Sequence, residues 1–233
     1  QSIVGAEALI RWSDSVLGEV SPEEFVPLAE ESGLIVDIGN WVLDTAFSNV
    51  KKWRENTEYK DFYIAINLSS RQLRGKDIVK NIADGLKRHG LPGSSLELEI
   101  TERLLMKDVP HVISILNQFK EMGVRLSIDD FGTGYSSLSY LKRFPFDVLK
   151  IDKTFISDIG EDPDDTALCD AIIAMAHSLG LSIIGEGVEN KEQFEFLHQR
   201  GVETIQGYYV SEPMLNEEFL KFIAIADWLE TTV

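Results

Sequence analysis

The chain has 233 residues, 44% of them hydrophobic, which suits one α/β barrel with a sizeable buried core. Its 39 acidic and 22 basic residues leave a formal net charge of -17, a surface that repels nucleic-acid duplexes and anionic membranes. An anionic substrate therefore needs a local cationic feature, such as bound metal. The one cysteine, Cys169, excludes an intrachain disulfide. Its apolar helical setting beside Leu168, Ala171 and Ile172 reads as core rather than nucleophile. No apolar run approaches the length of a membrane span, and no signal peptide is visible. The opening on Gln1, straight into a strand-like run, reads as a piece cut from a longer protein. The expected location is the cytoplasm, as a free protein or as the cytoplasmic domain of a membrane-anchored one.

In chain order, Ile3–Ile10 reads as the first strand. Ser21-Pro22-Glu23-Glu24 has the pattern of a capping box with Pro at the first helical position, and that helix ends near Ser32-Gly33. A helix over Val36–Glu55 follows, then a strand over Phe62–Leu68, a helix over Asp77–His89 and a strand over Leu96–Ile100. Next come a helix over Val109–Met122 and strands over Val124–Ile128 and Val148–Ile151. The chain closes with helix Pro163–Leu179, strand Ser182–Ile184, helix Lys191–Gln199, a weak strand Glu203–Ile205 and helix Asn216–Trp228. Gly90, Gly123, Gly180 and Gly201 stand where glycines end helices before strands. The strands are short and apolar on both faces, as buried parallel strands are. No Pro- or Ser-rich linker interrupts them, so residues 1–233 read as one domain. An open doubly wound sheet is the alternative, but it needs a glycine-rich phosphate loop and none is present, which favours a TIM-like (βα) barrel.

Polar residues break these apolar runs near their C-terminal ends: Glu7, Asn67, Glu99, Asp129 with Asp130, Lys150, Glu186 and Gln206. In a barrel those ends converge on the face that carries active sites. A lone buried carboxylate is usually a structural hydrogen-bonded group. Five carboxylates with Asn67 repel one another unless a cation offsets them. Oxygen donors suit hard divalent ions, and adjacent Asp129 and Asp130 permit a bridge between two metals about 3.5–4 Å apart, as in-line phosphoryl displacement uses. His89, His111, His177 and His198 all fall in helices without ligand spacing, so Mg²⁺ or Mn²⁺ is expected rather than zinc. The run from Asp130 to Ser137, with two glycines, one threonine and two serines, reads as a mobile loop that closes over the site. Its Asp-Phe-Gly triplet lacks the companion motifs of protein kinases. A salt bridge from Lys150 to Asp152, two residues on along a strand face, is the structural reading of the lysine and is compatible with a catalytic role.

Six blocks in order carry a resemblance: GAEALIRW at 5–12, NLSSRQL at 67–73, ELEITER at 97–103, the long stretch 127–156 from SIDDFGTGYSS to DKTFI, GEGVEN at 185–190 and QGYYVSEPM at 206–214. Together they resemble the EAL family of bacterial cyclic-di-GMP phosphodiesterases, nearly from end to end. The resemblance implies hydrolysis of cyclic di-GMP to linear 5′-pGpG with two Mg²⁺ or Mn²⁺ ions per site, and inhibition by Ca²⁺. Glu7, Asn67, Glu99 and Asp129 would bind the first metal, and Asp129, Asp130 and Glu186 the second. Glu186 resembles the residue that binds or polarises the attacking water, and Lys150 the lysine that contacts that water and the phosphate. Arg11, with Leu9, Gln206 and Pro213, belongs to the substrate-binding set, and Glu102 to the anchor of the loop at 131–137. Glu189 matches another motif glutamate.

The resemblance also implies a homodimer whose interface influences the loop, an upstream sensory or GGDEF domain, and no DNA or RNA duplex partner. The family's first strand, with its Gln-Pro pair, is expected to be lacking from this chain. Glu212 stands where the family often has a basic or neutral residue, and Gly185 replaces a common Ala. A non-catalytic cyclic-di-GMP receptor is the second reading. A different metal-dependent barrel enzyme acting on a small carboxylate is the third, since a barrel does not settle chemistry.

Overall fold

The computed structural model describes residues 2–105, 109–132, 141–160 and 163–225. The chain divides into two compact units. The first comprises Gln1–Leu98, Glu121–Val124 and Pro213–Val233; the second comprises Glu99–Lys120 and Arg125–Glu212.

In the first unit, β1 (Gly5–Glu7) pairs in parallel with β4 (Tyr63–Asn67), setting Glu7 opposite Ala65. The expected strand Ile3–Ile10 is therefore shorter than read. Beyond it the chain turns into an antiparallel hairpin, β2 (Trp12–Asp14) and β3 (Gly18–Val20), that was not anticipated. Its turn is built locally: Asp14 Oδ1 accepts the N–H groups of Val16 and Leu17, and Gly18 takes a φ of 73°. Those two donors hold the Asp14 carboxyl below its ordinary pKa.

Helix α1 (Pro22–Ser32) starts where Ser21 Oγ accepts from Glu23 N at 3.3 Å. Helix α2 (Ile35–Arg54) buries Ile35, Gly39, Leu43, Ala46, Phe47, Val50 and Trp53, a stripe at helical spacing. A short helix α3 (Ser70–Leu73) follows β4, and a reciprocal capping box, expected at Ser21, lies here instead: Ser69 Oγ accepts from Gln72 N while Gln72 Oε1 accepts from Ser69 N. Helix α4 (Ile78–His89) packs on α2 at Gly85, where a Cβ would lie 2.5 Å from the Phe47 ring. That glycine is required by close approach rather than by φ.

Strand β5 (Leu96–Thr101) passes from one unit to the other, and its first five residues are buried. The second unit continues with the short helix α5 (Glu102–Leu105), then α6 (Val109–Glu121) and β6 (Arg125–Phe131). It then adds β7 (Val148–Ile151), a short helix α7 (Lys153–Ser157), α8 (Pro163–Leu179) and β8 (Ser182–Gly185). Helix α9 (Lys191–Gln199) and β9 (Thr204–Ile205) complete it, and α10 (Asn216–Ile225) returns to the first unit. Strands β6 to β9 pair in sequence, each parallel to the next.

Asp147, just ahead of β7, ties the starts of three strands. Its carboxylate takes Lys120 Nζ at 2.5 and 2.6 Å and Leu126 N at 2.9 Å. Its main chain bonds Leu126 O and Ser182 N, both at 2.9 Å. The register of the strands is therefore set at the end opposite to the expected site.

The fold class is α/β of the TIM-like (βα) barrel type. Among the described residues no helix is long and apolar enough to cross a membrane. The end of the expected helix Asn216–Trp228 lies outside the described residues.

Candidate active site

Residues at the C-terminal ends of the strands form two groups, one in each unit. In the first unit, Glu7 ends β1 and Asn67 ends β4. Asn67 Nδ2 donates to Glu7 Oε1 at 2.6 Å, near solvent. Leu9 is 44% exposed, and Arg11, also exposed, gives one N–H to Ile10 O at 2.9 Å. Pro213 is exposed as well.

The second unit holds the chemically dense group. Lys150 ends no strand; it sits inside β7 and is 1% exposed. Its Nζ lies 2.5 Å from Glu99 Oε1, 2.6 Å from Glu186 Oε1 and 3.7 Å from Asp129 Oδ1. Three carboxylates thus face one ammonium, which leaves the cluster negative. The structure brings together Glu99, Asp129, Lys150 and Glu186, as the strand-end reading expected.

It overturns the salt-bridge reading of Lys150. Asp152 caps α7 instead, accepting Thr154 N at 2.8 Å and Thr154 Oγ1 at 2.5 Å. The strand ends at Ile151, so the expected face shared by Lys150 and Asp152 does not continue that far.

Neighbours in a regular strand point to opposite faces, so Asp129 and Asp130 would not share a site. The register shows how β6 departs from regularity. Ile128 is opposite Leu149 and Phe131 is opposite Ile151, so β6 carries one extra residue between them. Asp130 takes a φ of 53°, the one non-glycine residue with positive φ among those described. A bulge with a left-handed residue breaks the alternation and permits both carboxylates to serve one face. Such strain persists where the surroundings demand it, and function is the usual reason.

Glu102 Oε2 lies 3.4 Å from Gly132 N, at the start of the expected loop. The rest of that loop, residues 133–137, lies outside the described residues. Gln206 joins through its main chain, with its N–H on Gly185 O at 2.8 Å and its carbonyl accepting Val188 N at 3.0 Å. Glu189 N donates to Gln193 Oε1 at 2.7 Å, within a capping box at the start of α9. Glu212 is exposed. At Gly185 a Cβ would approach Leu197 Cδ1 to 2.6 Å, so an alanine there needs Leu197 to move.

Two features escaped the sequence reading. Glu97 is fully buried and shares the strand face of Glu99 two residues on; the E-x-E pattern in LELEIT was the available signal. The glycines flanking Glu186 and Gln206 look like ordinary loop residues until their close approaches are seen. Cys169 is fully buried, and burial, with Asp170 beside it in sequence, pushes its thiol pKa up to about 11, which keeps it an unreactive thiol.

The donor chemistry fits a hard divalent cation: every candidate ligand offers oxygen, and the group carries excess negative charge. Among the described residues, no three His, Cys, Asp or Glu side chains stand close enough to hold an ion as they are. In the second group Lys150 supplies the central cation.

The family model for the EAL domain matches residues 1–213. The chain belongs to the EAL domain family. It is 45% identical to the signalling protein YkoW of Bacillus subtilis, covering 96% of this chain and 28% of that protein. It is likewise 45% identical to MucR of Pseudomonas aeruginosa, described as a bifunctional diguanylate cyclase and cyclic di-GMP phosphodiesterase, over 95% of this chain and 32% of that one. This EAL chain therefore spans about a third of the length of these relatives. A solved structure described as PaMucR phosphodiesterase in complex with c-di-GMP superimposes with a TM-score of 0.89 at 45% identity, over 93% of this chain and 87% of that chain.

Proposed function

We propose that this EAL chain hydrolyses cyclic di-GMP to linear 5′-pGpG, as one phosphodiesterase domain over residues 1–233. The observation that carries the reading is the buried Lys150 ammonium gripped by Glu99 and Glu186 in a chain of this family. Relatives named as cyclic di-GMP phosphodiesterases support the substrate.

A phosphodiester resists attack because it is anionic, so the site must present positive charge and an oriented water. Glu186 Oε1 accepts a hydrogen bond from that water and orients it toward phosphorus. Lys150 Nζ, fixed between Glu99 and Glu186, meets the negative charge that develops on the phosphoryl oxygens. The water oxygen bonds to phosphorus, the P–O3′ bond breaks, and a proton goes to the departing 3′ oxygen. Arg11, Leu9, Gln206 and Pro213 bind the substrate, and Glu102 anchors the loop that begins at Phe131. Two Mg²⁺ or Mn²⁺ ions, held by Glu7, Asn67, Glu99 and Asp129 and by Asp129, Asp130 and Glu186, would supply charge neutralisation and a more acidic water. Ca²⁺, larger and less strict in geometry, inhibits.

The chain acts as a homodimer whose interface biases the loop, behind a sensory or GGDEF domain in the whole protein, on the cytoplasmic side. The deciding experiment is hydrolysis of cyclic di-GMP with Mg²⁺ by this chain, by Glu7→Ala and by Glu186→Ala. Turnover by the parent chain and its loss in both variants is expected. A folded parent chain that binds cyclic di-GMP without cleaving it makes the domain a receptor instead.

A further inference from the structure

We propose that Gly207 is a positioning residue for Glu186: it lets the main chain of Gln206–Tyr209 close against Gly185–Val188, clamping the carboxylate onto Lys150. The proposal rests on the reading of Glu186 as the residue that orients the attacking water.

Glu186 lies just past the end of β8, between two glycines. A side chain there has no strand of its own to hold it. Its N–H donates to Ile151 O at 3.1 Å, which ties it to the residue after Lys150. On the other side three more main-chain bonds bracket it. Gln206 N donates to Gly185 O at 2.8 Å, Val188 N to Gln206 O at 3.0 Å, and Tyr209 N to Val188 O at 2.9 Å. The β8–β9 pairing, whose register ends at Gly185 and Ile205, thus continues past both strands as a clamp around Glu186.

Gly207 is what permits this approach. A Cβ on it would lie 2.3 Å from Val188 O and 2.4 Å from Val188 N. Both are backbone atoms, so no side-chain rotation relieves the clash. Its φ of 149° is also one that other residues avoid. Gly187 completes the fit, with a φ of 66° and its absent Cβ 2.4 Å from Lys153 Cβ. Beyond the clamp, Gly207 O accepts Val210 N and Ser211 N, at 2.9 and 3.1 Å. The Tyr209 ring stacks on Phe194 of α9, with centroids 5.6 Å apart.

The result is that the backbone of Glu186 is held on both sides, while its Oε1 sits 2.6 Å from Lys150 Nζ. A misplacement of about 1 Å in such a group can cost about 100-fold in rate. Gly207 therefore acts through Glu186, and no part of it need touch the substrate.

The test compares the full chain with Gly207→Ala, Tyr209→Pro and Gly180→Ala. Gly180 shares a positive φ of 72° but has open space around its Cβ position, so it reports backbone strain without a clash. Amide hydrogen exchange and steady-state hydrolysis of cyclic di-GMP are measured where all proteins remain folded. Gly207→Ala should lose exchange protection at Glu186, Val188 and Tyr209, and kcat should fall about 100-fold with KM changed less than about threefold. Gly180→Ala should leave kcat unchanged. If Gly207→Ala does not fold, Tyr209→Pro removes the outer N–H of the clamp together with the ring stacked on Phe194, and should lower kcat roughly tenfold. Protection retained in Gly207→Ala, or lost with kcat unchanged, overturns the proposal. If the parent chain does not turn over at all, the function reading fails separately. The clamp is then judged by calorimetric Mg²⁺ affinity, which should weaken at least about tenfold in Gly207→Ala; unchanged affinity overturns it.

Discussion

Glu7 and Asn67 meet through one hydrogen bond near solvent, whereas Glu99, Asp129 and Glu186 gather on a lysine that is 1% exposed. In the first group an amide approaches a carboxylate, and water can replace either partner at little cost. In the second, buried carboxylates tolerate one another because a cation stands among them. The two groups offer the same kind of oxygen donor but store different amounts of free energy. One is easily rearranged when a ligand arrives; the other is already organised.

The sharpest way to break that contrast is Lys150→Met, which keeps side-chain length and removes the charge. Leaving the carboxylates uncompensated should destabilise the protein by about 3–5 kcal/mol in denaturant unfolding. Mg²⁺ should restore more stability to this variant than to the parent, because the ion replaces the missing charge. A variant as stable as the parent would mean that the carboxylates are already neutral.

A smaller effect is expected at the bulge. Asp130→Gly keeps the left-handed conformation without strain, while Asp130→Ala does not. Alanine should be less stable than glycine by about 1 kcal/mol, measured by thermal unfolding. Both should lose hydrolysis together, because both lack the carboxylate. Equal stability would place the strain elsewhere.

The smallest stability change belongs to Glu7→Gln. The amide oxygen still accepts from Asn67, so unfolding should shift by less than about 1 kcal/mol. The metal concentration needed for half-maximal activity should nevertheless rise at least about tenfold, since a charged ligand is lost. A large stability loss instead would make this pair a structural element like the lysine cluster.

Much of the architecture was legible because burial leaves a period in the chain. The parallel strands and long helices fall close to where the apolar runs place them, and helices α8 and α9 match residue for residue. The hairpin at 12–20 was missed because its strands have three residues each, too few to show a period. The three short helices, α3, α5 and α7, are single turns set by caps and neighbours rather than by a stripe. The structural alternative of a Lys150–Asp152 salt bridge fails for a related reason: spacing along one strand cannot reveal carboxylates that arrive from other strands.

By itself the sequence determined which residue types interrupt the buried strands, and hence that acidic side chains end them. It also determined the family, because six blocks in order record those interruptions. Tertiary structure alone decided how the charges are reconciled. Lys150 lies between Glu99 and Glu186, residues 51 and 36 positions away along the chain. A bulge interrupts β6 at the neighbouring aspartates, and the glycine at 207 lets the chain there approach the main chain of Val188. These depend on close approach between distant segments, and no local pattern of residues encodes a distance.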